Sequence, residues 1–331
     1  MLGRALIGFA TVAGMLLASA PAFASQAFIS SPGRVHYVAA PGEANSPTFV
    51  EEAMGLRVSD AGTTVVAGVG CVQDGADAVC DAIGWERFVI ALGDGNDHLD
   101  VSHALFTSIV SGGAGDDQIV GSLNENRLDG GPGNDVLRGG ELPDTIIGGE
   151  GNDQIVGGPD GDILVGGPGD DDVRGGLGWD TLSGGPGDDV LNGNSGFDDI
   201  QATGNVNFLL KPGLLIGLGR DRTSQIEAAS LTGGAGANMI NARAWRGPVM
   251  LFGLRGDDVL IGGRGSDYIE GGRGRDRVVG GLDYDILNGG GGDDTFFSRD
   301  GGFDNVYGES GTDSARIDLI DVALEVERYL R

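Results

Sequence analysis

From Gly112 the chain repeats itself every nine residues, a period too short for any ordinary globular domain. Ten nonapeptides follow one another without a gap to Gln201, in the register G-G-x-G-x-D-x-U-x, where U is a large apolar residue. Five copies show it plainly: GGAGDDQIV from 112, GGPGNDVLR from 130, GGEGNDQIV from 148, GGPGDDDVR from 166 and GGPGDDVLN from 184. A second block of five begins at Gly253 and ends at Phe297. After a one-residue slip at Ser298 two weaker copies follow, RDGGFDNVY and GESGTDSAR, and an outlying copy, LGDGNDHLD, occupies 92–100. Each unit holds one turn and one very short strand, so it buries apolar surface only by stacking on its neighbours.

The chemistry of the unit follows from its residues. A turn written G-G-x-G-x-D puts glycine where the backbone takes positive φ and passes close to another group. Carbonyls exposed in this way, with one carboxylate per turn, form the oxygen-rich surroundings that hard Ca²⁺ prefers. In the strand x-U-x only U points inward. These residues are Ile119, Leu137, Ile155, Val173 and Leu191 in one set of units, and Leu128, Ile146, Leu164, Leu182 and Ile200 in the other. One inward side chain is a weak return for ordering nine residues, and the acidic turns repel one another. The expectation is a chain largely unfolded without Ca²⁺ that folds when the ion binds.

The nonapeptide resembles the calcium-binding repeat of the repeats-in-toxin (RTX), or haemolysin-type, family. The resemblance spans roughly 92–201 and 253–316. It implies an all-β fold, a parallel β-roll or β-solenoid, in which two nonapeptides make one coil and calcium lies between stacked turns. It also implies a bacterial source. Odd and even units would then line opposite edges. On one edge Asp117, Asp135, Asp153, Asp171 and Asp189 follow full G-G-x-G-x-D turns and are expected to form a continuous ladder of metal ligands. On the other, the turns GSLNEN, GGELPD, GGPDGD, GGLGWD and GNSGFD are degenerate except one. Asp144, Asp162, Asp180 and Asp198 should form a weaker ladder there, interrupted at Asn126. The second block contributes Asp258, Asp267, Asp276, Asp285 and Asp294, with Leu254 replacing a second-position glycine and Asp283 a fourth-position one.

Composition agrees. The 331 residues include 65 glycines and carry a formal charge of −28, with Lys211 the only lysine. Such a surface attracts cations and repels nucleic acid and anionic membranes. Arg264, Arg273, Arg275 and Arg277 lie between the acids of the second block and read as charge compensation on a solvated face.

Outside the repeats, residues 1–24 read as a secretory signal, with Arg4, an apolar run from Ala5 to Leu17 and a small-x-small site at Ala22-Phe23-Ala24. A secreted, extracellular protein without a membrane span after cleavage is expected. Residues 25–91 suggest an N-terminal β cap containing a hairpin clasped by a Cys71–Cys80 disulfide. Residues 202–252 read as metal-poor solenoid coils between calcium blocks 92–201 and 253–316, and 317–331 as a C-terminal cap.

No catalytic site emerges. His36, His98 and His103 are scattered, H-E-x-x-H and G-x-S-x-G are absent, and Lys211 follows Leu210 rather than glycine. Aspartate pairs such as Asp116-Asp117 read as a ligand beside a solvated neighbour. The favoured reading is an extracellular calcium-binding, non-enzymatic protein with a structural or surface role, whose partner is a cell surface or polysaccharide. The alternatives are an adhesin or ice-binding solenoid and a polysaccharide-acting β-helix enzyme. Position seven (Gln118, Arg127, Val136, Thr145, Gln154, Ile163) is too irregular for a flat ice-binding face.

Overall fold

The computed structural model describes residues 25–31, 34–42, 44–52, 55–60, 66–67, 71–74, 77–81 and 87–330. The expected signal at 1–24 lies outside them, as do residues 61–65 of the expected N-terminal β cap. The described chain contains no helix, and therefore none long and apolar enough to cross a membrane.

The nine-residue period becomes a parallel β-solenoid of about 14 coils. Alternate short strands enter opposite sheets, and each pairs with the strand one coil away. Ile119 stands beside Leu137, Ile155, Val173 and Leu191 in one sheet. Leu128, Ile146, Leu164, Leu182 and Ile200 form the matching row in the other. All ten of these side chains are at most 1% exposed and belong to one continuous core. Each sheet contributes one file of apolar residues to this core because the pleat turns only every second side chain inward.

The N-terminal end grows onto this roll through short strands. Arg34–Val38 pairs in parallel with Arg87–Asp94, placing Val35 beside Phe88 and Tyr37 beside Ile90. Gln26–Ser31 returns antiparallel along Arg34–Val38. A separate antiparallel sheet contains Pro47–Glu52, Gly55–Asp60, Asp77–Asp81 and Cys71–Asp74. Within it Cys71 and Cys80 stand opposite one another and are joined by a disulfide. The buried Tyr37 hydroxyl donates to Asp60, which also accepts the Ser25 hydroxyl at 3.3 Å.

Residues 202–252 differ from plain coils. Phe208–Lys211 pairs antiparallel with Leu214–Ile216, which pairs antiparallel with Arg220–Ser224. One sheet therefore gains extra strands, while the opposite sheet continues in parallel from Ile200 directly to Ala229. The local cause is Lys211-Pro212-Gly213, where Gly213 takes a left-handed φ of 79° and turns the chain back. The slip at Ser298 is absorbed at the end of Thr295–Ser298, with Ser298 buried, and pairing resumes at Ile286 with Asn305. Residues 317–330 add a further coil: Val322–Leu324 and Arg328–Tyr329 each continue a sheet in parallel.

Candidate metal centre

The sixth-position aspartates converge along the two edges of the roll. All fourteen selected from the sequence are buried, at no more than 3% exposure. Their arrangement is a ladder with one polarity. The N–H of Asp117 donates to Oδ1 of Asp135, Asp135 to Asp153 and Asp153 to Asp171, each at 2.8 Å. The opposite edge repeats the pattern: Asp144 donates to Asp162 and Asp162 to Asp180 at 2.8 Å. The second block does the same from Asp258 to Asp276 at 2.8 Å and from Asp267 to Asp285 at 2.9 Å.

One oxygen of each carboxylate is thus used. The other is the informative one. Oδ2 is buried and without a hydrogen-bond partner in every one of the fourteen except Asp144 and Asp267. A buried acceptor left unsatisfied costs about 1–3 kcal/mol, and more when charged. In a representative turn, a Cβ built on Gly148 would overlap Asp153 Oδ2 and lie 2.6 Å from the Gly166 carbonyl oxygen. The missing side chain therefore leaves a cradle that a carboxylate oxygen and a carbonyl from the next turn both face. This donor set fits Ca²⁺, which accepts carboxylate and backbone carbonyl oxygens together. Among the described residues no three acidic, histidine or cysteine side chains form a metal cluster. That is consistent with one carboxylate per turn, the remaining oxygens coming from the backbone.

Burial, aided by neighbouring carboxylates, pushes Asp135, Asp162, Asp171 and Asp276 up to about 7 and Asp285 to about 8. Asp117, Asp180, Asp189 and Asp294 rise to about 6, also chiefly through burial. These groups resist carrying a negative charge unless a cation lies beside them.

The fifth-position residues form a second, exposed ladder of opposite polarity. Asn134 donates its N–H to Asp116 Oδ1 at 2.8 Å, Asn152 to Asn134 at 2.9 Å and Asp170 to Asn152 at 2.8 Å. The paired aspartates thus divide into a buried member and a solvated neighbour. Of Arg264, Arg273, Arg275 and Arg277, Arg275 forms an ion pair with Asp257 at 2.8 Å, while Arg277 lies over the Phe297 ring at 3.8 Å.

The inequality between edges is narrower than the sequence implies. Asp162, Asp180 and Asp198 are as buried as the first-edge acids and share their free Oδ2. At Asn126 the interruption is a satisfied polar network: its Oδ1 accepts the Ser108 hydroxyl at 2.6 Å and the Ser122 hydroxyl at 2.8 Å.

The structure adds members that the sequence selection left out. Asp97, Asp304 and Asp313 carry the same buried, unpartnered Oδ2, and their signal was the outlying nonapeptides in which they sit. Asp221 accepts the Asp189 N–H at 3.4 Å, extending the first-edge ladder across the antiparallel insertion, and burial raises it to about 7. Its signal was G-L-G-R-D at 217–221, two glycines at the right spacing. Asn45 begins that ladder: its N–H donates to Asp97 Oδ1, and its carbonyl accepts the His98 N–H at 2.8 Å.

A parallel β-roll edged by buried carboxylates and inward glycine turns defines a calcium-binding repeat protein. The family comparison agrees: the RTX calcium-binding nonapeptide repeat matches residues 111–146, 129–164, 138–173, 165–200, 250–278 and 270–302. These segments carry RTX calcium-binding nonapeptide repeats. Comparison with curated proteins finds no match.

Proposed function

We propose that this is an extracellular calcium-binding repeat protein whose β-roll folds on Ca²⁺ binding and then serves as a non-enzymatic scaffold, with a structural or surface-interaction role. The observation that carries the reading is the row of buried, unpartnered Oδ2 atoms facing neighbouring carbonyls. A cation at each of these turns satisfies both groups and removes the repulsion between successive acids. The expected signal at 1–24 and the Cys71–Cys80 disulfide support an oxidising, exported location. Outside cells, calcium near millimolar concentration fills sites with dissociation constants of about 10⁻⁴–10⁻³ M.

Isothermal calorimetry of the mature chain with Ca²⁺ tests the binding. Several ions per chain are expected, with Mg²⁺ at the same concentration giving a much smaller heat. No calcium binding would overturn the proposal.

A further inference from the structure

Two forms of turn coexist in the roll. In the open form the second-position N–H crosses to the first carbonyl of the next turn on that edge: Gly149 to Gly166 at 2.9 Å and Gly167 to Gly184 at 2.7 Å. In four turns the same N–H points back at the sixth-position side chain of its own turn. Ser122 donates to Asn126 Oδ1 at 2.8 Å and Gly234 to Asn238 Oδ1 at 2.8 Å. Gly140 donates to Asp144 Oδ2, and Gly263 to Asp267 Oδ2 at 2.6 Å.

The backbone separates the forms independently. Position two is left-handed in the open turns of the two blocks, at φ 124 for both Gly149 and Gly167, and even Asn194 and Leu254 adopt that region at φ 68 and 75. Ser122, Gly140, Gly234 and Gly263 do not. In these closed turns a donor hydrogen occupies the oxygen that elsewhere is left free. The positive end of an N–H dipole then stands where a cation would have to approach.

Residue choice follows the same division. Two of the four closed turns carry asparagine at position six, Asn126 and Asn238, whereas every open turn of the two blocks carries aspartate. Position in the roll follows it too. The turns at 121–126 and 139–144 come first on their edge of block one; that at 233–238 precedes the first turn of block two on one edge, and that at 262–267 comes first on the other edge of block two.

We propose that the four closed turns are metal-free starter turns, and that Asp144 and Asp267 bind no calcium although they belong to the aspartate ladder. The inference rests on the calcium reading of the open turns. A closed turn satisfies its own side chain, so it forms without an ion. It then offers the next turn a finished edge on which to stack, and the calcium-dependent coils grow from it.

The test is the number of Ca²⁺ ions bound per full-length mature chain, by equilibrium dialysis with elemental analysis, folding being checked by circular dichroism in saturating calcium. Asp144→Asn and Asp267→Asn are each expected to keep the parent number. Asp162→Asn and Asp285→Asn are each expected to lose at least one ion. Equal losses in both pairs would overturn the inference while leaving the calcium reading intact; a parent chain that binds no ion overturns both. Should a variant fail to fold, anomalous scattering from calcium-loaded crystals of the unmodified chain decides. No ion is expected against Asp144 or Asp267, and a peak at either refutes the assignment.

Discussion

Turns 139–144 and 157–162 lie one coil apart on the same edge, begin with the same two glycines and end in the same aspartate. Yet Asp144 has both oxygens hydrogen-bonded, while Asp162 keeps Oδ2 buried and unpartnered. The residues between them differ, Glu141-Leu142-Pro143 against Pro159-Asp160-Gly161, but that is not the whole cause. The turn at 262–267, GGRGSD, has an intact signature and is closed as well. It stacks on the Trp245 loop, with Arg264 donating to the Trp245 carbonyl at 3.1 Å, rather than on another glycine turn. The lesson is that the preceding coil, as much as a turn's own sequence, sets whether its carboxylate is free for a cation.

The largest effect on calcium binding is expected from Asp162→Ala. It removes the free oxygen and also strands the Asp144 N–H, which donates to Asp162 Oδ1 at 2.8 Å. A cost of about 1–3 kcal/mol at saturating calcium is expected, read from thermal unfolding, together with a calcium midpoint raised at least tenfold. An unchanged midpoint would break the contrast between the two turns.

Acidity provides a second test. Unfolded aspartates titrate near 3.9, whereas burial lifts Asp162 to about 7 and Asp285 to about 8 in the roll. Between those values the folded chain holds more protons, so the metal-free roll is most stable below about pH 4 and loses that stability as pH rises through about 7. A calcium-depleted chain should therefore gain β structure when acidified from pH 8 to pH 5, as measured by circular dichroism. With calcium present, acidification should instead weaken binding by proton competition.

Replacing Cys71 and Cys80 by serine should destabilise the N-terminal sheet by about 2–3 kcal/mol, seen as early loss of its amide protection in hydrogen exchange. The calcium-driven transition of the repeats should persist, separating the cap from the coils. The smallest effect should come from Leu254→Gly. Leu254 holds φ 75 in an open turn and is 48% exposed, so glycine relieves backbone strain with little loss of packing. A gain of about 1 kcal/mol is expected in denaturant unfolding.

The architecture was legible because one period fixes coil length, strand register and inward residue together; Ile119 and Leu128 fall into opposite sheets for no other reason than their nine-residue offset. The burial of the aspartates followed from the same register. What lay beyond the sequence was set by neighbours. The antiparallel insertion hid Asp221 by placing it 32 residues from its ladder partner Asp189. Asn45 lacked any glycine-turn signature and is identified only by the bonds it makes to the first coil. The closed turns depend on which way one peptide faces, and identical residue types permit either direction.

The most direct test of calcium-coupled folding is far-UV circular dichroism of the mature chain at pH 7.5, first in excess chelator and then through a calcium back-titration. A mostly unordered spectrum that converts cooperatively to β structure as calcium rises is the predicted result. Full β structure in chelator, unchanged by added calcium, would contradict it.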